Sequence, residues 1–365
     1  MQAYPGNEHA RAVATIYHGH VTREAHMAPQ RGVFTLSLDF ELAWGSRDLY
    51  DPINPLLAMA RVTRSRVFEP LLAMLVEHNM VATWATVGSL FLSGAERRGG
   101  ASFPDLTPPT HRWYPRPWFE TVPGGTEAEH PEFYARSLVV KLRDAGQEIG
   151  SHSFSHPIFG DAGCSRQAAE TDVARCVAEA AHIGVTLRSF VFPRNVAGHV
   201  DLLRKYGFTS WRGPEPSWYH RAGIPSPVKR VAHMADVALA RSAPTVRPFR
   251  DQHGLWVIPA SASFFPMDGV RRIIPLEQRV RRCIKGLDQA AVDGRICHLW
   301  FHPINLASDP ERMLGALRRV IQHASELRDR GRIEVLPMGE VATRAESGDI
   351  VTTQGAAVPS APSSP

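Results

Sequence analysis

Short apolar runs recur along the chain, and each gives way to a segment whose apolar positions fall three or four residues apart. The first run, "FTLSLD", predicts a strand over residues 34–39. The helical spacing of "VFEPLLAMLVEHNM" predicts a helix over 67–80, and "VATWATVGSLFL" a strand over 81–92. Helices follow over 131–146, 166–184 and 199–207, separated by strands over 148–153 and 189–194. After "FTSWRG" comes a helix over 276–294, a strand over 296–303, a helix over 311–331 and a last strand, "RIEVLP". Strands alternating with helices in this way imply parallel strands covered by helices, arranged as a barrel or a doubly wound sheet.

Two stretches break the rhythm. Residues 93–130 and 213–250 are rich in Gly, Pro, Trp and Arg, and loops of that length in a compact domain are commonly functional lids or disordered. Their aromatic residues Trp113, Tyr114, Trp118, Trp218 and Tyr219 suit either stacking on sugar faces or anchoring of the loops. Residues 1–30 are expected to be a flexible segment, whose histidines His9, His18, His20 and His26 read as tail residues. Residues 346–365, rich in Ser, Pro and Ala, are expected to be a disordered tail. A single domain with long loops is left over 31–345.

Composition narrows the classes. Apolar residues make up 44% of the 365, ordinary for a globular enzyme, and no apolar run reaches the roughly 18–20 residues of a membrane span. The net charge is +5 and only four of the 41 basic residues are lysines. The arginines are scattered, without a basic run or an aromatic RNA-binding signature, so nucleic acid is not an expected partner. That charge suits an anionic substrate or a solvated arginine-rich surface equally. Cys164, Cys176, Cys283 and Cys297 show no Cys-x-x-Cys spacing and read as reduced thiols. The start of the chain lacks the basic, apolar and small-residue pattern of a signal peptide, and a cytoplasmic location is expected.

Chemistry gathers where the apolar runs end. In "GSHSFSHP", His152 and His156 are four apart, a spacing that lets both imidazoles meet one metal ion. Asp39 and Glu41, at i and i+2, leave the first strand on the same side. Two acids there call for a cation. One carboxylate with His152 and His156 gives a two-His, one-carboxylate set with room for water and substrate, and the other carboxylate is free to act as a base. His302, closing "ICHLWFHP", is a candidate proton donor, while His298 reads as packing. Arg194, closing "FVFPR", needs a carboxylate partner if buried, and Asp39 is a suitable one.

In order along the chain, "SLDFE", "HSFSHP", "FPRN" and "LWFHP" resemble the motifs of the polysaccharide deacetylase family (carbohydrate esterase family 4), over about residues 34 to 342. The resemblance implies a distorted seven-stranded (β/α) barrel and metal-dependent removal of an acyl group from an amide nitrogen. It implies a divalent metal, Zn²⁺ with Co²⁺ or Ni²⁺ as substitutes, held by Glu41, His152 and His156. Asp39 would be the base, His302 the acid and Arg194 the tuner of Asp39. Trp44, Trp113, Trp118 and Asn195 are the candidate substrate contacts. The family pattern has two adjacent Asp residues, whereas Phe40 stands between the acids here, so the reverse assignment of Asp39 and Glu41 stays open. For the motif before the last His, Trp256 and Asp251 are the nearest matches, with Asp251 as the orienting acid of His302.

The implied substrate is a small N-acylated sugar, nucleotide sugar, lipid-linked sugar or natural-product intermediate. The alternatives are a same-fold amidohydrolase acting on a ureide or cyclic imide, and a non-catalytic sugar-binding protein.

Overall fold

The computed structural model describes residues 30–97, 102–114, 116–216, 226–264 and 266–353. Strand β1, Gly32–Phe40, is buried at every position. Its alternation is nevertheless informative. Phe34, Leu36, Leu38 and Phe40 join the main apolar core with the covering helices, whereas Thr35, Ser37 and Asp39 face the other way and are buried too. A strand buried on both faces belongs in a parallel sheet covered by helices.

The remaining staves are β2 (Thr83–Thr86), β3 (Glu148–Ser151), β4 (Ser189–Phe190), β5 (Ser210–Gly213), β6 (Trp256–Pro259), β7 (Ala262–Ser263) and β8 (Ile296–Phe301). They run in the order β7–β8–β1–β2–β3–β4–β5–β6, with each neighbouring pair parallel. The two ends of that order are consecutive in the chain. Ala260 N–H donates to Gly213 O on one side (3.0 Å), and Ser261 N–H donates to His298 O on the other (2.8 Å). Residues 256–263 are therefore one bent stave that closes a ring of seven, the distorted barrel expected. A further strand, β9 (Ile333–Val335), pairs with the start of β1.

Helices pack outside the ring. Among them, α1 (Pro310–Asp329) buries Met313, Leu317, Val320, Ile321 and Ala324, a stripe at helical spacing. Fully burying a side chain such as Leu317 or Ile321 contributes about 1.5–3 kcal/mol. Asp309 caps the helix by accepting from Arg312 N–H. One helix plugs the ring instead. Met338 and Val341 of α2 (Met338–Ser347) join Val33, Ala85, Val191, Ile258 and Ile296 in a separate apolar cluster. Glu148 accepts from Gly339 N–H at the start of α2 (3.0 Å) and from Ser189 Oγ (2.7 Å). With that floor in place, the polar residues of the lumen lie toward the carboxyl ends of the strands.

Several expectations change. The run 81–92 is a strand only to Thr86 and then turns into a 3₁₀ helix over Gly88–Phe91. A helix over Asn54–Val62 and the plug α2 were not expected, nor was the stave 256–263. The stretch 93–130 is not an open lid where described: Phe103, Trp118, Phe119 and Val122 are buried in the main core. At the C-terminal end the described chain continues to Thr353, with Ile350 buried. Residues 1–29 and 354–365, and with them the tail histidines, lie outside the described residues, as do Trp218 and Tyr219. No helix among the described residues is long and apolar enough to cross a membrane.

Candidate metal centre and its surroundings

Two strand ends build the centre. At the end of β1 and just past it, Asp39 and Glu41 project into the lumen, and Leu42 takes a left-handed conformation (φ 49°) that turns the chain away. Gly45 then passes over Glu41. A Cβ at Gly45 would sit 1.6 Å from Glu41 Oε2, so the "WG" in the sequence makes room for the carboxylate. Beyond β3, Ser153 and His156 are both left-handed (φ 63° and 62°), a strain that non-glycine residues hold only when their surroundings enforce it. Ser153 Oγ accepts from His156 N–H (3.0 Å). Asp172 accepts from Phe154 N–H (2.6 Å), Ser155 N–H (2.9 Å) and Ser155 Oγ (2.7 Å). Burial pushes the Asp172 carboxyl up to about 6 against those three donors. Arg47, buried between Trp44 and Trp118, reaches the same loop at Ser155 O (3.4 Å).

Three imidazoles converge on one oxygen. Glu41 Oε1 lies 2.8 Å from His152 Nε2, 3.2 Å from His156 Nε2 and 3.6 Å from His302 Nε2. His152 Nδ1 lies 2.7 Å from Val191 O. A carbonyl can only accept, so Nδ1 carries the hydrogen, and neutral His152 presents a bare Nε2 to the carboxylate. Two acceptors at 2.8 Å require a proton or a cation between them. His156 Nε2 is buried and makes no hydrogen bond. Bonds of ~2 Å around a tetrahedral ion put donor atoms ~3.3 Å apart, close to the separations seen. The donor set Glu41, His152 and His156, all buried, fits a divalent cation. Burial opposes the charge on Glu41, but His302 and the other two imidazoles outweigh it and hold the carboxyl well below its usual range. Burial lowers His156. In His152 it is outweighed by Glu41 and Asp39, which raise that imidazole.

Asp39 lies beside this set, with Oδ2 3.6 Å from His302 Nε2. Its partner corrects an expectation. Arg212, not Arg194, grips Asp39, with Nη1 2.6 Å from Oδ1 and Nη2 2.7 Å from Oδ2. β5 lies across the ring from β1, so this fork spans the lumen. Burial alone would raise Asp39, but the Arg212 guanidinium overcomes it and holds the carboxyl below its usual value. Arg194 instead pairs with Asp48 and lies over Trp113 at 4.8 Å. The reason is local. β4 ends at Phe190, and Arg194 sits in a turn with φ 54° that carries its side chain to the rim. Arg212 is still within a strand, two residues after inward-facing Ser210. The test applied to "FVFPR", an arginine closing an apolar strand, would have found Arg212 in "FTSWRG".

The four candidate substrate contacts divide. Trp44 is fully buried and donates through Nε1 to Phe133 O (3.0 Å). Trp118 is 2% exposed and donates to Ser155 O (3.2 Å). Both are core residues, a correction that follows from the burial of the 93–130 stretch. Trp113 is 40% exposed on the rim, stacked on His111 at 4.8 Å. Asn195 accepts from Arg212 Nη2 (3.0 Å) and so secures the fork on Asp39. Asp251 and Trp256 are also reassigned. Asp251 accepts from Trp211 Nε1 and from the N–H groups of His253 and Leu255, knitting the turn before β6, and Trp256 donates to Glu346. The ring of His302 lies against Trp300 at 5.6 Å. Trp300 donates to Glu215 Oε1 (3.0 Å), while the other Glu215 oxygen is buried without a partner and burial raises that carboxyl.

Residues 59–210 match the family model described as polysaccharide deacetylase. That span holds His152 and His156; Asp39, Glu41 and His302 lie outside it and join the centre through the fold. No curated protein sequence matches the chain. Among solved structures, the chain is similar to a Mycobacterium smegmatis protein described as a polysaccharide deacetylase (15% identity, 93% of this chain and 99% of that one, TM-score 0.59). It is also similar to a Pseudomonas aeruginosa PAO1 protein described in the same way (11% identity, 87% and 92%, TM-score 0.56). A third similar structure is that of the PuuE allantoinase (11% identity, 95% and 98%, TM-score 0.58). At these identities the likeness is one of fold.

Proposed function

We propose that the chain is a hydrolase of the polysaccharide deacetylase family, whose model residues 59–210 match, and that it removes an N-acyl group, acetyl or formyl, from an amino sugar or a nucleotide- or lipid-linked sugar. The observation that carries this reading is the convergence of Asp39, Glu41 and three histidines on one point of the barrel mouth. Glu41, His152 and His156 hold a divalent cation, Zn²⁺ in this reading, with Co²⁺ or Ni²⁺ as substitutes. When bound, such a cation polarises the acyl carbonyl and lowers the pKa of water.

The chain's own groups supply the proton transfers. Asp39, kept ionised by Arg212, accepts the proton of the attacking water. His302, whose Nε2 is 3.6 Å from Asp39 Oδ2, faces the same space and gives a proton to the departing nitrogen as the C–N bond breaks. The products are a carboxylic acid and an amine. Trp113, exposed on the rim, is the candidate contact for a sugar ring. The four cysteines are free and buried, and a cytoplasmic location is part of this reading.

The test measures acetate and formate release from a panel of N-acylated amino sugars and nucleotide sugars, with and without added Zn²⁺, Co²⁺ or Ni²⁺. Allantoin serves as the ureide arm. Release from a sugar, cut by on the order of 10²-fold or more in Asp39→Asn and His302→Ala, supports the reading. Turnover of allantoin alone, or full activity in both variants, overturns it.

A further inference from the structure

His298 lies on β8 with the inward-facing residues, four before His302, and is fully buried. Its Nδ1 is 3.1 Å from Pro259 O. A carbonyl oxygen only accepts, so Nδ1 carries the hydrogen. In the neutral ring Nε2 is then bare, and it lies 2.9 Å from Ser37 Oγ. Ser37 must donate its hydroxyl hydrogen there, which turns its lone pairs toward Arg212 Nη1 at 3.1 Å. That nitrogen spends its other hydrogen on Asp39 Oδ1, and Nη2 divides its two between Asp39 Oδ2 and Asn195 Oδ1. All four hydrogens of the fork are committed.

We propose that His298 is a positioning residue, which, by holding its hydrogen on Nδ1, fixes the direction of a buried hydrogen-bond chain through Ser37 and Arg212 and so sets the carboxylate of Asp39. The inference rests on Asp39 being the base. The opposite tautomer, or an imidazolium, would put a hydrogen on Nε2. Ser37 would have to accept it, and with Arg212 already donating, the hydroxyl hydrogen would lose its acceptor. Burial and the nearby Arg212 push His298 down to about 3, so the ring stays neutral at ordinary pH. A histidine that only fills space would touch none of this, since it makes no contact with Asp39 and is separated from it by two side chains.

The first arm of the test needs no substrate. Long-range ¹H–¹⁵N NMR of histidine-labelled protein, with the His298 signals assigned by their loss in His298→Gln, is expected to show a neutral Nδ1–H tautomer throughout about pH 5.5–8. An Nε2–H tautomer, or a protonation midpoint in that window, overturns the proposal. The second arm uses His298→Leu, His298→Gln and Ser37→Ala on a sugar cleaved by the wild type, with metal content measured in each. The Leu and Ala variants are expected to lose kcat about tenfold or more with KM within about twofold and metal retained. The Gln variant, whose Oε1 can stand in for Nε2, is expected to recover most of the rate. Unchanged kcat in folded Ser37→Ala, or Gln no better than Leu, overturns the proposal. A wild type that cleaves no sugar would defeat the deacylase reading instead, and the NMR arm would then decide this inference.

Discussion

Replacing Arg212 with leucine should strand Asp39 as a buried anion. Both side chains are almost inaccessible, 0% for Arg212 and 3% for Asp39, so water cannot take over the lost partner. At an effective dielectric of about 20, unit charges about 4 Å apart interact by ~4 kcal/mol. Removing one member of a buried pair destabilises proteins by about 3–5 kcal/mol. The expected loss for Arg212→Leu is in that range, read by urea denaturation of chelator-treated protein as a lower midpoint at unchanged slope.

The sign with pH follows from the direction of the shift. Paired, Asp39 has a depressed pKa, and its stabilisation is present above the unfolded value of 3.8 and lost as pH falls through the folded value. Unpaired, Asp39 has only His302 and His152 to set against burial, so its carboxyl rises relative to the wild type and the variant is penalised as pH rises. The gap between wild type and variant should therefore widen as pH rises from about 4 to 7, and close only at a pH below the folded value of Asp39. Asp39→Asn in the Arg212→Leu background removes the stranded charge and should recover a substantial part of the loss. A deficit below about 1 kcal/mol, or a double variant no more stable than Arg212→Leu, would refute the reasoning.

Gly45→Ala should displace Glu41, because its Cβ would land 1.6 Å from Oε2; titration calorimetry is expected to show metal affinity reduced about tenfold or more, and wild-type affinity would contradict this account of the glycine. Trp44→Ala should cost about 3–5 kcal/mol of stability and leave KM unchanged in the folded fraction, since the ring packs against Phe103 and Phe133; a stable variant with a raised KM would return Trp44 to the substrate site. His298 falls to about 3 from 6.5 on folding, so its stabilisation is full above pH 6.5 and declines below it by up to ~1.4 kcal/mol per pH unit. The stability of His298→Leu should accordingly fall less steeply than that of wild type between about pH 6.5 and 4, and a pH-independent difference between them would count against a neutral buried ring.

The sequence carries the residue types of the centre more clearly than it carries their directions. β1 and β8 were legible because the residues they turn to the covering helices, Phe34, Leu36, Leu38 and Phe40 on β1 and Cys297, Leu299 and Phe301 on β8, are all apolar, and the spacing of His152 and His156 survives whatever turn joins them. The bent stave 256–263 was not, because Pro259 and a run of small residues replace the apolar signal where one half pairs with β5 and the other with β8. Arg194 and Arg212 show the same limit at single-residue scale. Both close short apolar strands and both follow an aromatic residue within two positions, so composition cannot separate them. What separates them is where the strand stops: Arg212 is still inside β5 and points across the lumen, whereas Arg194 comes after β4 has ended and its left-handed turn sends it to the rim. His298 was read as packing for a related reason. Its ring never approaches the reacting atoms, and its connection to Asp39 runs through Ser37 and Arg212 on two other strands. Such a connection exists only once β8, β1 and β5 are set in register around one lumen, so no spacing along the chain encodes it. A polar residue on an inward stave position is therefore better judged by what lies opposite it across the barrel than by its neighbours in sequence.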